Sequence, residues 1–330
     1  MAGAIVIAGS DTPVSDHKIR AVSASDGWDC WRGGVASIPV LGCSPIARTA
    51  ESLKSAGLTR ISILGRTIWN EKPGPVPSEE QAWLLAANEL KTCKEKNLDA
   101  VVVTRIGHYI ECEWQALLEQ HRKYGEAVSR AFDSEAPLDL WVVDPNRFYA
   151  DGDLLRMLQV NKVAECAVDG YVNRLTGARD FRRFVTDIFS SRCRVRPYAT
   201  EVRPGLWVAE GAQIARNARV VAPAYVGQGV KISGDCLITR CSTLETNSYV
   251  DFGTAIEDSS VLPDTYIGIG LDLSHSVVDG DEILNLHHEV RLRISDPVVM
   301  RRHFAKVQHD PRSVSVIEMN VMALSSIEKP

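Results

Sequence analysis

The chain predicts an α/β, doubly wound N-terminal domain followed by an all-β domain of stacked coils. Two observations carry this. Up to residue 143, short apolar runs without alternation take turns with amphipathic helical segments, the pattern of strands buried on both faces of a parallel or mostly parallel sheet. From residue 208 an aliphatic side chain recurs at every sixth position, the period of a β-helix. The boundaries that follow are 1–200 for the α/β domain, 201–278 for the coils and 279–330 for capping strands and a helix.

Ile5-Val6-Ile7-Ala8 is the first strand and runs into Gly9-Ser10-Asp11, the usual form of a turn that presents backbone N–H groups to a phosphate. Ser10 to Ser37 has no periodicity and carries Trp28, Trp31 and the Arg32-Gly33-Gly34 triplet. Ser44 is an N-cap, Pro45 the first helical residue and Gly57 the stop of a helix with Ile46, Ala50 and Leu53 on one face. A strand follows at 60–64, then a Pro/Gly loop at 73–77. Ser78 and Gln81 form a capping box for a helix through Leu90, with Trp83, Leu84 and Ala87 turned inward. Residues 100–104 are a buried strand, 113–125 a helix ending on glycine, and 138–143 another strand. Ligands of such sheets bind outside the carboxyl ends of the strands. Those ends are Gly9-Ser10-Asp11, Gly65-Arg66 and Arg105-Ile106-Gly107-His108, where Arg66 and Arg105 are either anion contacts or solvated loop charges. Residues 179–197 form a basic, amphipathic connecting helix that packs on the coils, with Trp207 under the linker.

In the coils, Val208, Ile214, Val220, Val226, Ile232, Ile238, Leu244, Val250, Ile256 and Leu262 hold one register; it then slips by one residue to Ile267 and Leu273. Four residues after each of the first ten stands a small side chain, except that the last is Tyr266. The aliphatics fill a narrow core and the small residues let the chain turn; roughly four coils result. Tandem hexapeptides of this sort resemble the left-handed parallel β-helix family. Beyond Asp279-Gly280, residues 289–295 alternate as a strand, 298–307 read as a short helix and Val314–Ile317 as a strand, a cap that shields the open end of the coils.

The composition bounds the function. A formal net charge of −5 argues against nucleic acid or an anionic membrane as the main partner. No apolar run reaches the length of a membrane span and the N-terminus lacks a signal-peptide pattern, so a cytoplasmic protein is expected. The eight dispersed cysteines read as reduced structural thiols, with no zinc-ligand spacing among them.

The combination of domains resembles the sugar-1-phosphate nucleotidyltransferases, mannose-1-phosphate guanylyltransferases among them, whose N-domain is Rossmann-like. Residues 38–64 ("IPVLGCSPIARTAESLKSAGLTRISIL"), 101–125, 138–148 and 170–181 ("GYVNRLTGARDF") resemble successive segments of that family in order. The resemblance implies a reaction of nucleoside triphosphate with sugar phosphate, which needs Mg²⁺ and charge neutralisation around phosphate oxygens. It also marks where this chain departs. The glycine-rich signature loop with its arginine is reduced to Ala8–Pro13, and the base-recognition glycines fall in "SEEQAWLL" at 78–85. The two metal-binding aspartates fall at His108 and Arg174, and the stretch from Gly125 to Leu138 is too short for the sugar-site hairpin.

These departures lead to a nucleotidyltransferase-like pseudoenzyme of nucleotide-sugar and polysaccharide metabolism. It has no catalytic residues of its own and no cofactor, and it acts as a ligand-binding, regulatory or scaffold subunit. Its expected partners are a nucleotide sugar or sugar phosphate, further copies of itself, or a partner enzyme of that metabolism. Gly9, Ser10, Arg32, Gly33, Gly34, Arg66, Arg105 and Gly107 are the candidate nucleotide- or phosphate-binding residues, and His108 and Arg174 the degenerate positions. Two alternatives stay open. One is an active transferase with a rearranged site, using the Arg32–Gly34 loop and holding Mg²⁺ on Asp11, Asp144 or Asp169. The other is an acyltransferase working through the coils, with His275, His287 or His288 as general base.

Overall fold

A computed structural model describes residues 2–8, 38–64, 79–148, 153–160 and 163–302. The chain is β-rich, with parallel and mixed sheets. Gly9 to Ser37, the segments 65–78 and 149–152, and the tail from 303 lie outside the described residues. So do Gly9, Ser10, Arg32, Gly33, Gly34 and Arg66, the Ser78 cap and the Val314–Ile317 strand.

The N-terminal elements are β1 (Ala2–Ala8), α1 (Pro45–Ser55), β2 (Arg60–Leu64), α2 (Glu79–Glu95), β3 (Ala100–Ile106), β4 (Tyr109–Ile110), α3 (Trp114–Tyr124), β5 (Val128–Phe132), β6 (Pro137–Val143), α4 (Leu154–Val160), β7 (Ala164–Ala167), β8 (Val172–Asn173) and α5 (Ala178–Phe189). Their main sheet has the order β2-β1-β3-β6-β5-β7. β1 is parallel to β2 and β3, but β6 runs antiparallel to both β3 and β5. The sheet is therefore mixed. The hairpin β5–β6 fits between Gly125 and Val143 and reverses the chain where a crossover helix would have kept it parallel.

Both faces of this sheet are covered. α1 and α3 lay Ile46, Leu53, Trp114, Leu117 and Leu118 on Ala4, Val6 and Val102. α2 and α4 lay Ala86, Leu90, Leu154 and Leu158 on Ile5, Ile7 and Val103. The apolar, non-alternating strands follow from this double cover. Ser44 Oγ accepts from Ala47 N at 3.3 Å and Pro45 begins α1, as the sequence predicts. Gly125 ends α3 at φ 66°. Leu84, expected inward, is 61% exposed. The inward stripe of α2 is instead Ala82, Trp83, Ala86, Ala87 and Leu90, which the 3.6-residue turn places on one side.

After β9 (Thr200–Arg203), strands are dealt in rotation to three sheets. β10 (Leu206–Val208), β13 (Ala224–Val226), β16 (Ser242–Leu244), β19 (Ser260–Val261) and β22 (Ser276–Asp279) form one parallel ladder. β11 (Gln213–Ile214), β14 (Lys231–Ile232), β17 (Tyr249–Val250) and β20 (Thr265–Ile267) form the second. β12 (Arg219–Val220), β15 (Leu237–Thr239), β18 (Ala255–Glu257) and β21 (Asp272–Ser274) form the third.

The register corrects one sequence reading. Thr239 pairs with Glu257, eighteen residues on, but Thr243 pairs with Ser260, seventeen on. The corner at Asp258 is thus one residue shorter than the corner at Arg240-Cys241. The slip falls before residue 261, so Val261 takes the inward place opposite Leu244. Leu262 turns outward into the joint with the N-terminal unit. The small residue four positions after Val261 is then Thr265, fully buried, and Tyr266 ceases to be an exception.

The chain returns through β23 (Glu282–Asn285), antiparallel on β22, and β24 (Val290–Arg293), antiparallel on β23. Residues 300–302 are not helical. They form β25 (Met300–Arg302), antiparallel on β20, with Met300 buried in the coil core and Arg301 over the Tyr266 ring. Pairing along an open strand edge outweighs the weak helical pattern there. α5 packs on the outer face of the first ladder. Phe181, Phe184, Val185 and Ile188 join Tyr225, Leu262, Val277 and Leu284 in one cluster, with Trp207 at its margin. No helix among the described residues is long and apolar enough to cross a membrane.

Candidate functional site

β1 and β3 end level with one another, Ala8 beside Ile106. At that edge β6 runs the other way, with Thr104 opposite Leu140, so Asp139 comes level with Arg105. Arg105, 2% exposed, places Nη1 3.2 Å from Asp139 Oδ2. Arg130 from β5 donates Nη2 to Asp139 Oδ1 at 3.4 Å and Nε to the Leu138 carbonyl at 2.9 Å. Gly107 follows as the link to His108, whose Nε2 accepts from the Asp139 N–H at 3.2 Å. That bond needs a lone pair on Nε2, and the imidazole is kept neutral. Burial lowers its pKa to about 4, with Arg174 and Arg105 adding to the effect against the opposing pull of Asp139.

The short ladder of β4 and β8 pairs Tyr109 with Asn173 and Ile110 with Val172, which brings positions 108 and 174 opposite each other. Arg174 Nη2 reaches both oxygens of Asp133, at 2.8 and 2.6 Å, with Glu135 3.9 Å from its Nε. Asp133 also accepts from Glu135 N at 2.9 Å and Ala136 N at 2.8 Å, closing the β5–β6 turn. Burial opposes its ionisation, but these N–H groups and Arg174 outweigh it and hold the carboxyl below the usual range.

Arg105, Gly107, His108 and Arg174 are therefore gathered at one sheet edge. Sequence reading missed Asp133, Asp139 and Arg130. The charge at Asp139 inside the otherwise apolar run 138–143 was the available signal; Arg130 and Asp133 lie in a hairpin that the periodicity does not announce. Of the alternative metal ligands, Asp144 is excluded from this edge. Val143 pairs with Val101, so Asp144 lies at the opposite end of β3, where it accepts from Asn146 N at 2.9 Å. Asp169 is exposed in the turn before β8. Asp11 lies outside the described residues.

The described residues at this edge do not fit Mg²⁺. A hard cation takes oxygen ligands, whereas the two facing positions supply an imidazole and a guanidinium, and the carboxylates of Asp133 and Asp139 are engaged by arginines. Among the described residues no three His, Cys, Asp or Glu side chains converge to hold a metal ion.

A second polar cluster lies on the corner of the coils. His275 Nδ1 is 2.7 Å from Asp258 Oδ2. Asp258 Oδ1 accepts from Arg182 Nη2 at 2.7 Å, and Arg182 also donates to Ser260 Oγ and the Cys241 carbonyl. The His287 ring is 5.7 Å from that of His275 and 4.8 Å from that of His288, and His287 and His288 are exposed in the turn before β24.

No family model matches the chain, and no curated protein matches it significantly.

His108 gives a prediction about stability. Its folded pKa, about 4, lies below the ordinary 6.5. Its contribution is thus complete above pH 6.5 and is lost as pH falls through 4. Acid unfolding monitored by circular dichroism is expected to show a loss of about 1–3 kcal/mol across that window, and His108→Gln is expected to flatten it.

Proposed function

We propose that this is a nucleotidyltransferase-like protein of nucleotide-sugar metabolism that binds a nucleotide sugar or sugar phosphate without turnover. It would act as a regulatory or scaffold subunit in the cytoplasm. In this reading the N-terminal unit is a Rossmann-like nucleotidyltransferase domain and the coils are a left-handed β-helix. The observation that carries it is the Arg174–Asp133 pair opposite His108. A fixed guanidinium neutralises the carboxylate that a catalytic cation would otherwise need. A guanidinium engaged in this way offers N–H donors only and cannot supply the Lewis-acid chemistry that a catalytic cation would.

The test is direct. Purified protein with Mg²⁺, a panel of nucleoside triphosphates and sugar 1-phosphates is expected to form no nucleotide sugar; formation above background overturns the reading. In a thermal-shift screen, nucleotide sugars or sugar phosphates are expected to raise Tm equally with and without Mg²⁺, since a ligand at 100 times its Kd adds about 2.7 kcal/mol.

The Asp258–His275 pair favours a second reading, an acyltransferase with His275 as a general base oriented by Asp258. Titration with acetyl-CoA separates the two: heat or a Tm shift supports the second reading, and none removes it.

A further inference from the structure

Glu245 has no exposed surface, yet it lies at the joint between the two halves of the molecule. It stands on the coils just after β16 and reaches across to the segment that leads into α1. Its Oε1 accepts from Leu41 N at 2.7 Å and its Oε2 from Gly42 N at 3.0 Å. Leu41 and Gly42 both have positive φ, 53° and 85°, which turns their two N–H groups toward the carboxyl. Gly42 is required twice over, by that φ and by the Tyr225 hydroxyl, which a Cβ at this position would strike.

The charged and titratable groups around Glu245 are Arg48 from α1, Cys43 from the segment itself and Tyr225 from β13. Arg48 is the cation of this set, and its guanidinium is spent on carbonyls: Cys43 from Nε at 3.3 Å, Arg196 from Nη1 at 3.1 Å, Val40 and Leu41 from Nη2 at 2.8 and 3.4 Å. Burial raises the Cys43 thiol and the Tyr225 phenol, so both stay neutral. An ionised Glu245 would thus be a buried charge without a bonded counter-ion; the N–H groups of Gly42 and Leu41 and the charge of Arg48 favour it, but burial outweighs them. The Tyr225 Oη is also fully buried and has no hydrogen-bond partner among the described residues.

We propose that Glu245 is a proton-controlled latch, which holds residues 38–44 on the coils when protonated and loosens them when it ionises. The latch stands on the joint alone and is independent of the function proposed above.

Burial places the Glu245 titration at about 8, against 4.5 in an unfolded chain. A raised folded value means stability that is complete below the unfolded pKa and is lost as pH rises through 8. The test is ¹³C NMR of the full chain labelled at glutamate Cδ, with hydrogen exchange of the 38–44 peptide. One glutamate resonance is expected to titrate near pH 8 and to be missing in Glu245→Gln. Exchange of the peptide should rise across pH 7–9 beyond the intrinsic rate in the natural chain and not in the variant. If every glutamate of the natural chain titrates below pH 6.5, the latch is wrong, whether or not the variant folds. Exchange that follows the intrinsic rate alone would equally overturn it.

Discussion

Phe184→Ala is expected to lower stability by about 3–5 kcal/mol and Tm by roughly 10 °C. Phe184 has no exposed surface. Its ring lies 4.7 Å from that of Tyr109 and 5.8 Å from that of Tyr171, and its cluster reaches Tyr225, Leu262 and Val277 on the coils. Truncation removes the ring at the point where α5 ties the N-terminal sheet to the first ladder, and the rigid coil below it cannot collapse into the gap. Scanning calorimetry measures the effect. Leu84→Ala, on the exposed side of α2, is the internal comparison and should change stability by about 0.5 kcal/mol or less. Equal effects of the two substitutions would contradict the packing described.

The second large effect concerns His108 and Arg174. Replacing both by aspartate is expected to create a cluster of carboxylates at the sheet edge. Asp133 would lose its guanidinium and face a new acid across the β4–β8 ladder. Without metal, like-charge repulsion should lower stability by roughly 2–4 kcal/mol. Millimolar Mg²⁺ or Mn²⁺ should then raise Tm in the double variant and leave the natural protein unchanged, by mass action on the folded state. Isothermal titration of both proteins with Mn²⁺ checks this, and binding of equal strength to the natural chain would show that the arginine does not occupy the cation's place.

Legibility in the sequence followed the range of the interaction. α1 was readable to its cap because Ser44, Pro45 and the Ile46–Ala50–Leu53 stripe are all local signals. The strands after residue 206 were readable in part, because an aliphatic recurs along them, although Ile214 is 38% exposed and the spacing breaks at Val261. Where neighbouring strands decided, reading failed. β25 exists because the edge of β20 was open, and nothing within 298–307 announces it. Val261 and Leu262 are both apolar, so only the shortened corner at Asp258 tells which one faces inward.

The candidate edge divides in the same way. Sequence alone determined that the chain carries an imidazole at 108, a cation at 174 and a strand end at Arg105, because side-chain chemistry is fixed by identity. It also determined the repeat, because a period needs no partner to be seen. Tertiary structure alone decided that 108 and 174 stand face to face, that Arg174 closes on Asp133 and that Arg105 and Arg130 share Asp139. Those pairings join residues 9 to 66 positions apart, brought together by antiparallel register. Glu245 is the extreme case, a polar residue in a repeat whose burial comes from a loop 204 residues earlier in the chain. Desolvation and ion pairing depend on distance in space, and the sequence gives only distance along the chain.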